Sequence, residues 1–126
     1  MSLGLAALII LAGAVGSCLR YLVGELVPKD PDHFPLGTAL VNTSGSFAIG
    51  LALGLSSAEV LSPEVTMVFS VGLLGGYTTF STASVDSVQL AMRKHPTLAL
   101  TNSILVMTAC LLLATVGFWL TSEFLG

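Results

Sequence analysis

Across 126 residues the chain is 54% hydrophobic and only 9% charged, with a mean hydropathy of +0.95. That balance excludes an ordinary soluble domain and points to an integral membrane protein. A net charge of −3, with four basic residues in all, leaves no basic patch for nucleic acid.

The first apolar segment, residues 3–27, has no basic leader or A-x-A cleavage pattern and is too long for a secretory signal, so it reads as a retained spanning helix. Gly13, Gly16, Ser17, Arg20 and Gly24 recur along it at three- and four-residue steps, gathering small residues and one guanidinium on a stripe that faces protein. Arg20 lies roughly 10 Å from the segment's end. It can snorkel to the headgroups or serve a functional site. Residues 28–35 carry three prolines and form a polar loop, in which His33 among acids reads as solvated rather than as a metal ligand.

In the second segment, residues 36–55, Asn42, Ser46, Gly50 and Gly54 recur every four residues as another small, polar stripe. The Asn42 amide must find partners in hydrocarbon. It sits roughly 9 Å from the membrane face that Arg20 approaches.

After a second loop, residues 56–61, Ser62-Pro63-Glu64 supplies an N-cap, a proline at the first helical position and an acid near the positive helix end. The third segment, residues 63–92, would make roughly 45 Å of unbroken helix against about 30 Å of hydrocarbon. A mid-segment interruption is therefore predicted. Gly72, Gly75 and Gly76 followed by Tyr77-Thr78-Thr79-Phe80-Ser81-Thr82 supply it, because each glycine costs roughly 1 kcal/mol against alanine and hydroxyl residues offer the backbone other bonds. Irregular backbone at that depth is tolerated where protein buries it or where it lines a hydrated cavity, and freed carbonyls there ligate cations. The other reading is a glycine-rich packing face. Asp86 falls near 10 Å from the same membrane face, so it is expected to interact with Arg20, directly or through water.

The fourth segment, residues 97–125, repeats Thr101, Thr108 and Thr115 every seven residues and carries Asn102 and Ser103 near its start. The threonines either bond their own helix or form a polar track beside an ion path. Cys18 and Cys110 read as two buried small hydrophobes rather than a disulfide or metal site. Four short up-and-down spans, one domain over residues 1–126, put both termini on one side and the charged loops on the other. Lys29, Arg93 and Lys94 on the charged side, against no basic residue in the other loops, place those loops in the cytoplasm.

With these residues in view the chain resembles the Fluc (CrcB) family of fluoride channels over essentially its full length. The matching pieces are Gly13-Ala14-Val15-Gly16 with Arg20-Tyr21, then Gly37-Thr38, Val41-Asn42, Gly45-Ser46-Phe47 and Gly50, then Gly72 with Gly75-Gly76-Tyr77-Thr78-Thr79-Phe80-Ser81-Thr82. The resemblance implies an all-α bacterial inner-membrane channel: four transmembrane helices, the third broken at its centre, in an antiparallel, dual-topology dimer with two narrow anion pores. It further implies a structural sodium ion, not transported, on the carbonyls of Gly75 and Thr78. Fluoride would meet the Asn42 amide, the Thr79 and Ser81 hydroxyls and the electropositive edge of Phe80, with Arg20 raising anion concentration at a pore mouth. If carbonyls are the sodium ligands, Thr78→Ser should be mild and Gly75→Val severe through steric closure.

Two departures from the family pattern stand out. Ala83 replaces a second phenylalanine, and Cys110 and Ala114 replace a serine and a threonine of the fourth helix. These losses can impair one pore of a homodimer, so the second subunit is either another copy or a paralogue, the second being favoured by the one-sided loop charge. A small four-helix multidrug transporter would need a carboxylate deep in the first helix, where only Glu25, near its end, is available. An enzyme would need convergent nucleophile, base or metal ligands, and the sequence offers none.

Overall fold

The computed structural model describes residues 1–125 and consists of helices joined by short loops. Helix α1 (Leu3–Leu26) starts on Ser2, whose Oγ accepts from the Leu5 N–H at 3.2 Å, and α2 (Leu36–Ser57) follows the proline loop. Helix α3 covers residues 63–77 and opens as expected, with Ser62 Oγ accepting from the Val65 N–H at 3.3 Å, Pro63 in the first turn and Glu64 beside it. Its middle, Val68–Leu74, winds as a wider π-helical turn, a feature that the sequence reading did not anticipate. Helix α4 (Phe80–Met92) completes the third span, and α5 (Pro96–Leu125) contains a second widened turn at Thr101–Leu105.

Three helices, α1, α2 and α5, are long and apolar enough to cross a membrane unaided. The third span crosses in two halves, because the chain is extended at Thr78 (φ −76°, ψ 158°) and Thr79 (φ −150°, ψ 116°). The break thus falls inside the predicted stretch 72–82, on its threonines rather than on its glycines. Gly72, Gly75 and Gly76 all lie within helical turns, and β-branched threonines, which favour extended backbone, take the interruption instead.

Two of those glycines have a packing task. A Cβ on Gly72 would meet Ile9 O at 2.8 Å, and one on Gly76 would collide with Gly13 O, while on the facing helix a Cβ on Gly16 would collide with Leu73 O. Backbones of α1 and α3 touch there, which is the close approach that small residues permit between membrane helices. Gly24, counted on the same stripe, has nothing within 4 Å of its Cβ position. On the other side α2 packs along α5: a Cβ on Gly50 would strike Ala114 O, and Thr121 Oγ1 donates to Leu51 O at 3.2 Å across the contact. The buried core between these pairs is thin, centred on Val41 at 2% exposure. Outer faces carry Leu8, Ile10, Leu11, Leu111 and Leu112 in the open, as helices facing lipid tails do.

The two charged loops lie at one end. Asp32 Oδ1 sits 3.3 Å from His95 Nε2 and 3.7 Å from Arg93 Nη1, tying loop 28–35 to the α4–α5 turn. His33 pairs with Asp30 at 2.7 Å rather than standing free. The Asp32 backbone N–H, then the nearby His33 and Arg93, hold the Asp30 carboxyl below its ordinary range, and Glu25, 2.9 Å away, raises that of Lys29.

Candidate ion pathway

An interrupted helix inside a membrane exposes backbone groups that must be satisfied, and several near this break find partners on neighbouring helices. On the α3 side, Thr78 N–H and Thr78 Oγ1 both donate to Leu74 O, each at 2.9 Å. Helix α1 supplies the next donors: Ser17 Oγ gives to Gly76 O at 3.3 Å and Arg20 Nη1 to Thr78 O at 3.2 Å. A cation at the carbonyl end of a helix is also favoured by the helix dipole. On the α4 side Thr79 is the N-cap, its Oγ1 accepting from the Thr82 N–H at 3.2 Å and donating to Thr82 Oγ1 at 3.0 Å.

Asn42 closes the remaining gap from α2. Its Oδ1 accepts from the Thr79 N–H and its Nδ2 donates to Thr79 O, both at 2.8 Å, so one amide stands in for two lost ladder bonds. The expectation that this amide must find partners holds, with backbone as the first partner. Its second Nδ2 hydrogen is not used in these two bonds. The Thr79 N–H would have bonded Gly75 O in a continuous helix, so its turn toward Asn42 strips that carbonyl of its ladder donor. Gly75 O and the second lone pair of Thr78 O are hard oxygen donors of the kind that unwound membrane helices offer to sodium, and they fit such an ion. Within the chain a Cβ at Gly75 meets only Ser70 O at 3.6 Å, so alanine fits there without a clash.

Two cavities meet at this break. A vestibule of about 660 Å³ opens toward the charged loops and is lined by Ser17, Arg20, Thr38, Thr79, Ser81 and Asp86 among others. A groove of about 450 Å³ runs between α4 and α5, past Asn42, Thr79, Phe80, Ala83, Asn102 and Cys110. Thr79 lines both. Ser81 Oγ lies 3.3 Å from Thr79 Oγ1 on the vestibule side, while Phe80, 81% exposed, projects on the groove side.

Arg20 and Asp86 share the vestibule but do not pair. Arg20 bonds Thr78 O, and the Asp86 carboxylate accepts from Thr38 Oγ1 at 2.8 Å. The direct form of the expected contact is therefore absent, and both side chains face the same vestibule. Thr101, Thr108 and Thr115 each donate to the carbonyl four residues back at 2.8 Å and line neither cavity, so the self-bonded reading applies. Ala83 and Cys110 do lie on the groove wall, whereas Ala114 lies against α2 at Gly50.

The sequence reading noted Asn102 near the start of the fourth segment but gave it no role; it is 4% exposed and donates from Nδ2 to Ala83 O at 3.1 Å and to Ser87 Oγ at 2.8 Å. Ser103 Oγ reaches the same Ser87 Oγ at 2.9 Å. The argument applied to Asn42, that an amide in an apolar segment needs partners, gives Asn102 its role too.

Residues 7–118 match the family model described as CrcB-like protein, Camphor Resistance (CrcB). Among curated relatives, the fluoride-specific ion channel FluC 1 of Leifsonia xyli subsp. xyli is 40% identical over 111 residues, covering 87% of this chain and 81% of the relative. FluC of Helicobacter pylori (strain Shi470) is 34% identical over 119 residues, covering 92% of each chain, and FluC of Shewanella frigidimarina is 37% identical over 111 residues, covering 87% and 90%. A membrane helix broken at two threonines and braced by an arginine and an asparagine thus accompanies a match over nearly the whole chain, and the chain belongs to the CrcB family.

Proposed function

We propose that this protein is a fluoride-selective channel of the bacterial cell membrane that lets cytoplasmic fluoride leave passively, and that residues 1–126 act as one channel-forming unit. The observation that carries this reading is the continuity at Thr79, where a polar vestibule and the α4–α5 groove share a wall in a chain of this family. Fluoride is small and strongly hydrated, so a selective path must replace its water with converging donors.

In this reading Arg20 concentrates anions in the vestibule, and Ser81 and the open Nδ2 hydrogen of Asn42 take over hydrogen bonds from water. The Phe80 ring then offers its electropositive edge. Thr79 works as cap and wall rather than as a free donor, because its hydroxyl is engaged with Thr82. A second subunit in antiparallel orientation would close the open face of the groove. Gly75 O and Thr78 O of each subunit would hold one structural sodium, which neutralises carbonyl dipoles at the dimer centre and is not transported. A multidrug-transporter mechanism lacks its acid, since Glu25 sits at the end of α1, paired with Lys29 at 2.9 Å.

A second reading concerns the partner. Ala83 and Cys110 leave the groove wall short of a ring and a hydroxyl, which favours a paralogue as the opposite subunit. Fluoride efflux from liposomes holding this chain tests the function, with chloride as control. Rapid fluoride release without chloride release, from the chain alone or with its paralogue, is expected. Equal release of both anions would exclude a fluoride-selective channel.

A further inference from the structure

Arg20 is the residue on which the vestibule and the helix break converge. Its Nη1 donates to Thr78 O at 3.2 Å, longer than the roughly 2.7–2.9 Å of a strong charge-assisted bond, so the contact is one that a competitor can loosen. The guanidinium also lines the vestibule, where its remaining N–H groups have no acid. Among the described residues no carboxylate forms an ion pair with it, and the two acids that line that cavity, Asp30 and Asp86, are engaged by His33 and Thr38. The half-buried guanidinium therefore rests on one carbonyl and whatever the vestibule supplies.

We propose that Arg20 couples the channel's cation to its anion: the guanidinium divides its bonding between Thr78 O and the vestibule, so that sodium at the break and fluoride in the vestibule favour each other's binding. This rests on the sodium reading above. With a cation on Thr78 O, like-charge repulsion weakens the hold of the carbonyl on Arg20, and the guanidinium turns its donors and its unbalanced charge toward the vestibule. Fluoride there restores the balance. By linkage the effect is reciprocal, since whatever sodium adds to fluoride affinity, fluoride adds to sodium affinity. Ser17, which holds the neighbouring Gly76 O at 3.3 Å, keeps the end of α3 in place while Arg20 changes partner. Arg20 is in this respect a positioning residue for the sodium ligand as well as an anion attractor.

The experiment reads binding rather than flux. The purified chain in detergent, with its paralogue if the lone chain does not assemble, is titrated with sodium against N-methylglucamine at constant ionic strength. One series is in fluoride and one in chloride, and the thermal unfolding midpoint is followed. Half-maximal sodium stabilisation is expected at a concentration at least about fivefold lower in fluoride. Arg20→Gln, which removes the charge, should bring the two curves together, and Arg20→Lys, which keeps it, should retain part of the separation. Identical sodium midpoints in both anions for the unmodified chain would overturn the coupling and leave the sodium site standing. Absence of any sodium stabilisation would overturn the sodium site and the coupling with it. A separation undiminished in Arg20→Gln would remove Arg20 from the role, and the unmodified arms decide the coupling even if that variant fails to fold.

Discussion

Gly75 and Gly76 are adjacent in sequence and opposite in surroundings. A Cβ on Gly76 would run into the Gly13 carbonyl, with Gly13 Cα at 3.0 Å, whereas a Cβ on Gly75 finds its nearest atom at 3.6 Å. Gly76→Ala should therefore push α1 away from α3 and cost about 1–3 kcal/mol, the usual penalty of overpacking. Gly75→Ala should fall within about 1 kcal/mol of the parent, because helix propensity favours alanine. Thermal unfolding of the two variants in detergent checks this, and the reverse ranking would contradict the α1–α3 contact. At this scale the sequence was half legible. Glycines three and four residues apart are readable both as weak helix and as packing face, and for Gly72 and Gly76 the packing face is what the fold uses. Depth along a helix was also readable, since Arg20 and Asp86 line one vestibule, whereas their direct partners, Thr78 O and Thr38, were not.

The broken third span shows what segment length can and cannot tell. Thirty residues of apolar sequence are too long for one straight crossing, and the interruption was legible from that excess together with the hydroxyl cluster. Its place within residues 72–82 was legible too, whereas the choice between glycine and threonine as the extended residues was not, because it depends on α1 and α2, which supply Ser17, Arg20 and Asn42 as outside caps. The widened turn at Thr101–Leu105 has no local signature either, and it accompanies the turn of Asn102 toward Ala83 O and Ser87. The brace can be tested at Asn42. Asn42→Ala leaves both Thr79 N–H and Thr79 O without their side-chain partner, at about 1–3 kcal/mol for each group left unsatisfied. The expected result is a clear drop in the unfolding midpoint and loss of fluoride flux together. Asn42→Asp retains an acceptor for the Thr79 N–H but loses the donor and adds negative charge, so it should keep more stability than Asn42→Ala while still blocking fluoride. A fully stable Asn42→Ala channel would show that the break holds itself open without α2.

For the whole molecule, the bridge from Asp32 to Arg93 and His95 puts Lys29, Arg93 and Lys94 at one end, and the other loop and the termini carry no Lys or Arg. Acids count little toward orientation, so three basic residues against none should insert the chain one way, with the charged loops in the cytoplasm and both termini outside. Two copies of a chain with a fixed orientation cannot form an antiparallel pair. A partner inserted the opposite way must then come from a paralogue, and a subunit that always meets a complementary partner can lose groups from one pore wall, as Ala83 and Cys110 on the groove suggest. In a background lacking Cys18 and Cys110, a cysteine introduced at either terminus should react with a membrane-impermeant maleimide from outside the cell only. The lone purified chain should give little fluoride flux, the paralogue should restore it, and Ala83→Phe combined with Cys110→Ser should raise the residual flux of the lone chain if its groove wall is what limits conduction. Equal labelling from both sides of the membrane, with full fluoride current from the lone chain, would instead establish a dual-topology homodimer whose pores conduct without those two groups.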